Sequence, residues 1–157
     1  MDSDIFRAYK VVVICHFIFF TADILWGVFD ALSNKVPAMI DTTIFFVAMA
    51  FGVSAWLRFA AKYLEEKKLT SNITLVFALI FLIAGVTLVI INIFNPILFS
   101  YANGAYEPKA GRYGYFTAQM GMYLIVSVIA FIRTITNKNY RKMRYLTVSL
   151  VGIVMAV

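Results

Sequence analysis

Five long apolar runs organise this chain: Val11 to Leu32, Val36 to Ala61, Ile73 to Phe99, Tyr113 to Ile132, and Leu146 to the last residue, Val157. Roughly 20 apolar residues carry a helix across the hydrocarbon core of a bilayer. The first four runs meet that length, whereas the fifth holds 12 residues before the sequence stops. The pattern predicts an all-α, polytopic transmembrane helix bundle. It has four full spans and a truncated fifth, and residues 1–157 form a single transmembrane domain. An apolar terminus in mid-bilayer would strand a carboxylate in hydrocarbon. We therefore expect an N-terminal piece of a longer protein, with a short re-entrant end as the alternative.

The first run is read as an uncleaved span. Asp2 and Asp4 offset Arg7 and Lys10, so no positive leader precedes it, and no small-residue cleavage site follows it. The basic residues set the orientation. Arg7, Lys10, Arg58, Lys62, Lys67, Lys68, Arg133, Lys138, Arg141, Lys142 and Arg144 fall on one side, eleven against Lys35, Lys109 and Arg112 on the other. Cytoplasmic loops carry the excess of Lys and Arg, so the N-terminus is expected inside. The fifth span then runs outward, and a sixth would return the chain to a cytoplasmic domain. Lys62 to Ser71, with Glu65 and Glu66 among its lysines, reads as a solvated helix extension. The outward segment from Ser100 to Arg112 contains Asn103-Gly104, a pair suited to a tight hairpin turn. A small hairpin capping the outer face and a floppy loop are both compatible with it.

Composition supports the same class. Hydrophobic residues make up 62% of the chain and charged residues 14%, against about 25% charged in a soluble domain. Too little polar residue remains to coat a globule, so lipid is the expected partner. The net charge of +6 resides in the short connections between spans, and nucleic acid is excluded as a partner on that ground. The lone cysteine, Cys15, forms no internal disulfide. No phosphate-binding glycine loop, HExxH, CxxC or nucleophile elbow occurs. Cys15 and His16 are adjacent, point apart on a helix and make no metal site. Neither catalysis nor a cofactor is expected of these residues.

Polar groups within the spans are costly and ask for a reason. His16, Asp23 and Asp30 recur every seventh residue of the first span and form one stripe, which drifts by about 20° per step. That stripe is expected to face the bundle interior. Asp23 lies nine residues below Leu32, roughly 13 Å along a helix and close to mid-bilayer. It must be protonated, paired or wet. Asn92 and Asn95 on the third run, and Gln119 and Tyr123 on the fourth, lie at similar depth. Asp41, Thr42 and Thr43 enter at the outer end of the second run, and Arg112 precedes the fourth. Apart from His16 and Ser54, the inner half is drier. This distribution suggests a polar cavity open outward, with Asp23, Trp26, Asp30, Asn92, Asn95, Tyr106, Arg112, Gln119 and Tyr123 as candidate ligand-binding residues for a small molecule. Mutual satisfaction of these groups, fixing helix register, is the alternative. Trp26 and Trp56 also suit interfacial anchoring. The small-residue pairs Ala48/Gly52, Gly114/Ala118 and Thr117/Gly121 are candidate helix contacts.

Asp23-Ile24-Leu25-Trp26-Gly27, then Asn103-Gly104-Ala105-Tyr106, Gly111-Arg112-Tyr113 and Gln119, follow in a telling order. The chain from Asp23 to Gln119 resembles the N-terminal membrane module of many bacterial, chiefly Firmicute, GGDEF-type diguanylate cyclases. The resemblance implies a sensory input module in a bacterial cell membrane that acts as a homodimer. It would control a cytoplasmic cyclase making cyclic di-GMP. The GGDEF motif itself is not in this sequence, so the resemblance implies no enzyme activity within these residues. A small transporter or channel-like subunit is the competing function, and a structural or assembly protein a third.

Overall fold

Apolar sequence with proline only near the run ends, at Pro37 and Pro96, lets the interior of each run close its own backbone hydrogen bonds, as hydrocarbon demands. The computed structural model describes residues 3–32, 34–64, 68–102, 105–136 and 142–156. Asp2, Glu65, Glu66, Lys67, the Asn103-Gly104 pair, Lys138, Arg141 and Val157, invoked above, lie outside the described residues. The chain is an all-α helical bundle with α1 (Ser3–Ala31), α2 (Lys35–Tyr63), α3 (Lys68–Phe94), α4 (Ala110–Thr136) and α5 (Lys142–Ala156). Two short strands, β1 (Phe99–Ala102) and β2 (Ala105–Pro108), join α3 to α4. The helices α1 to α4 are each long and apolar enough to cross a membrane. The protein is therefore a multi-pass membrane protein whose outer helix faces meet lipid.

The helix α2 is the hub. Half of its apolar stretch is buried, against 17% in α1 and α3 and 22% in α4. It packs against α1, α3 and α4, while α5 packs on α4. Two apolar clusters result. Trp56, Leu57, Val53, Tyr123 and Val148 fill the end of the bundle away from the hairpin. Phe46, Leu98, Phe99, Tyr101 and Tyr115 fill the hairpin end.

Close helix approach comes from glycines other than most of those anticipated. A methyl group at Gly85 would meet Ala50 Cβ at 2.9 Å and Tyr115 Oη at 3.0 Å, and one at Gly152 would overlap Ser127 Oγ. Of the expected pairs, Ala48 and Gly52 are buried. Gly114 and Gly121 meet nothing within 4 Å, so the two α4 pairs mediate no contact among the described residues. They lie on faces of α4 that no described neighbour covers.

The third helix also ends earlier than its apolar run. Phe94 is its last residue, and Ile97 to Phe99 leave the helix for the hairpin. Pro96 explains this, because proline lacks an N–H and disfavours helical geometry at the preceding residue, Asn95. At the far side of the hairpin, α4 starts at Ala110, three residues before the apolar run at Tyr113.

Candidate functional site

Asn92 turns the end of α3 into a platform for the hairpin. Its Oδ1 accepts from the backbone N–H of Leu98 at 2.6 Å and of Phe99 at 3.2 Å. Its Nδ2 donates to the Phe99 carbonyl at 3.2 Å. One buried amide thus replaces the backbone partners lost where Pro96 breaks the helix. From there β1 and β2 pair antiparallel, Phe99 with Pro108 through Ala102 with Ala105.

Strand alternation then sorts the side chains. Phe99, Tyr101 and Tyr106 form one aromatic set, with Tyr101 directly opposite Tyr106 in the pairing and their rings 5.6 Å apart. Phe99 stacks on Phe46 of α2 with ring centroids 5.6 Å apart. The Tyr101 hydroxyl and Thr42 Oγ1 are 2.9 Å apart, and Thr42 also donates to the Ala38 carbonyl. Since Thr42 spends its proton on that carbonyl, Tyr101 is the donor between them. On the opposite face, Ser100 and Lys109 bond Glu107, with Lys109 Nζ at 2.9 Å. The Lys109 hydrogen bond and charge hold the Glu107 carboxyl below its ordinary pKa.

Beneath the hairpin lies a cleft of about 100 Å³ lined by Asp23, Trp26, Thr42, Phe45, Phe46, Tyr106 and Arg112. Arg112 is held in place by Tyr106, whose hydroxyl accepts from Nη1 at 2.8 Å. The guanidinium lies 5.3 Å from the Tyr106 ring and 5.0 Å from the Phe116 ring. Burial pushes the Tyr106 phenol above its ordinary pKa, with Arg112 pulling in the other direction. Trp26 meets Tyr106 edge-on at 5.7 Å. Buried Arg112 Nε has no partner among the described residues.

Asp23 stands at the mouth of this cleft. It was expected to face the interior and to be protonated, paired or wet. It is exposed, and it forms no ion pair among the described residues. Asp41 on α2 lies within electrostatic reach of Asp23, and its buried Oδ2 is unpartnered among the described residues.

The anticipated residues therefore divide. Asp23, Trp26, Tyr106 and Arg112 share the cleft. Asn92 is turned toward the hairpin backbone and belongs to its scaffold. Asp30 and Asn95 are exposed and line neither this cleft nor the larger cavity described next. Asp30 sits two turns beyond Asp23 on α1.

Gln119 and Tyr123 line a second, mostly apolar cavity of about 960 Å³ between α1 and the α4–α5 pair. His16 lies there too, not beside Asp23. Its Nδ1–H donates to the Val12 carbonyl at 2.8 Å, which leaves Nε2 to accept from Tyr123 Oη at 3.4 Å. Toward this end Ser54 donates to the Ala78 carbonyl and Ser127 to that of Tyr123, whereas Trp56 Nε1 and Ser149 Oγ are buried without a partner among the described residues.

Sequence reasoning placed Thr42 nearby but missed Phe45 and Phe46. The signal was present, since they follow Thr42 by three and four residues and so share its helix face. Among the described residues no group of His, Cys, Asp or Glu could hold a metal ion. The cleft offers a fixed cation, an exposed carboxylate and aromatic walls. No protein-family model, curated protein or solved structure matches the chain.

Proposed function

We propose that this bundle is the sensory input module of a bacterial signalling protein. In this reading the N-terminus is cytoplasmic and the hairpin faces outward. A small ligand enters the cleft beneath the hairpin, and the bundle passes its state to a cytoplasmic diguanylate cyclase domain, acting as a dimer in the bacterial inner membrane.

The observation that carries the proposal is the cleft itself, in which Arg112 is anchored to the hairpin through Tyr106 and faces side chains from α1 and α2. A ligand there touches four elements at once. It can therefore favour one relative placement of α1, α2, α4 and the hairpin over another, which is what a ligand must do to shift a conformational equilibrium. The orientation is supported by the excess of Lys and Arg on the side opposite the hairpin, and the cyclase output by the resemblance over Asp23 to Gln119. Transport would need a polar path through the whole bundle. Toward the end away from the hairpin the residues packed inside the bundle, Trp56, Leu57, Val53 and Val148, are apolar, and the cavity there is mostly apolar too, which favours sensing.

The test is intracellular cyclic di-GMP in cells expressing the protein with its cytoplasmic domain. Arg112→Gln should change the nucleotide level several-fold at equal membrane abundance, and Asp30→Asn, outside the cleft, should not. Equal levels in the parent and both variants would reject the sensory reading.

A further inference from the structure

The geometry points to a small zwitterion as the occupant of the hairpin-end cleft, with an acidic oxyanion on Arg112 and an ammonium group on Asp23. This deepens the sensory reading and takes its regulatory meaning from it. Two opposite charges, Asp23 and Arg112, line one cleft of about 100 Å³ yet form no ion pair. Arg112 is prevented from swinging toward Asp23 by its bond to Tyr106 and by the rings of Tyr106 and Phe116 on which it lies. A guanidinium has five N–H donors in a planar fork. Here Nη1 is used, and Nε is buried and unpartnered among the described residues. Carboxylate and phosphate oxygens are the groups that fit such a fork.

The other pole favours a cation. Asp23 is the carboxylate among the cleft's lining residues, and it is exposed and forms no ion pair among the described residues. An anion alone would leave that carboxylate without a partner. A metal ion lacks a ligand set, because no suitable group of His, Cys, Asp or Glu exists among the described residues. An ammonium group needs less, a carboxylate and aromatic surface, and Trp26 and Tyr106 supply the latter. The cleft's volume restricts the occupant to something the size of a small amino acid or the tip of a zwitterionic lipid headgroup. Both sources carry the same pair of charges.

Calorimetric titration of the chain in nanodiscs of phosphatidylglycerol alone tests this, because that lipid brings no ammonium group. The probes are glycine, L-proline, glycine betaine and phosphocholine, with acetate and glycinamide as single-charge controls. At least one zwitterion should bind about tenfold more tightly than either control, as expected when a charged hydrogen-bonding group is lost. Asp23→Asn and Arg112→Gln should each abolish that preference while keeping the parent's melting temperature. Arg112→Lys, which keeps the charge, should retain part of it if the other variants fold poorly. Repeating the titration with phosphatidylethanolamine added separates the sources. Loss of solute binding assigns the site to the headgroup, and undiminished binding assigns it to a free solute. The inference is overturned if no zwitterion exceeds its single-charge controls, or if the Asp23 and Arg112 variants bind as the parent does. Zwitterion binding without any response of cyclic di-GMP to the same solute would leave the inference standing and remove the sensory reading.

Discussion

Asn92→Leu should unfasten the hairpin from the bundle and lower thermal stability more than any substitution in the cleft. The asparagine is 8% exposed and makes three hydrogen bonds to the Leu98 and Phe99 backbone. Leucine is of similar size and leaves no cavity, so the expected loss comes from polarity alone. Two N–H groups and one carbonyl would be stranded, at about 1–3 kcal/mol for each buried polar group left unpaired. Several kcal/mol is a large share of the stability of a typical domain. Asn95→Leu is the matched control, three residues on and exposed. Thermal unfolding of purified protein should show a large drop for Asn92→Leu and almost none for Asn95→Leu. Protease should also cut the hairpin faster in the Asn92 variant. Equal melting temperatures would show that the hairpin does not depend on this amide.

Gly111→Ala should be the second severe change, and it should damage the cleft as well as the fold. A methyl group at Gly111 would meet the Ile97 carbonyl oxygen at 2.6 Å and its carbon at 3.2 Å. That obstacle is backbone and cannot rotate aside. The same carbonyl accepts the Gly111 N–H at 3.1 Å, a bond that joins the start of α4 to the segment entering β1. Overpacking of this kind costs about 1–3 kcal/mol. Pushing α4 outward also moves Arg112, the next residue, away from Tyr106. Gly114→Ala, one turn on and facing open space, is the control. The Gly111 variant should melt lower and lose ligand binding, whereas the Gly114 variant should match the parent in both. A Gly111 variant with parental stability would contradict the close packing of α4 on the hairpin stem.

The membrane bundle was legible in the sequence because run length alone reports it: four stretches of about 20 apolar residues have few other destinations. The exit from α3 was half legible. Pro96 was visible, but apolar Ile97, Leu98 and Phe99 concealed that the chain had already left the helix. Depth in the membrane was a poorer guide to the site. Asn92, Gln119 and Tyr123 lie at depths comparable with Asp23, yet one serves the hairpin and the other two line a different cavity. Depth fixes a position along a helix axis, whereas direction around the axis depends on which neighbour the helix packs against. Only α1 offered a repeat long enough to suggest a face. Even there, the seven-residue spacing grouped His16, Asp23 and Asp30, although their surroundings differ. Arg112, Tyr106, Trp26 and Asp23 were each singled out as polar or amphipathic groups near the hairpin end. Their meeting in one cleft depends on the hairpin folding back over α1 and α2, a long-range pairing that no local pattern displays.

In the proposed reading Asp23 borders a water-filled cleft open to the outside, at a depth where the adjoining surface meets lipid. Two single-cysteine variants made in a Cys15→Ala background, Asp23→Cys and Ile24→Cys, test it directly in intact cells with a membrane-impermeant thiol reagent. Ile24 is the next residue and is 70% exposed on the protein surface, but it lacks the cleft. Thiol reagents need the thiolate, which forms in water and is suppressed in apolar surroundings. The expected result is labelling at Asp23→Cys and protection at Ile24→Cys. Protection of both, or equal labelling of both, would contradict the cleft.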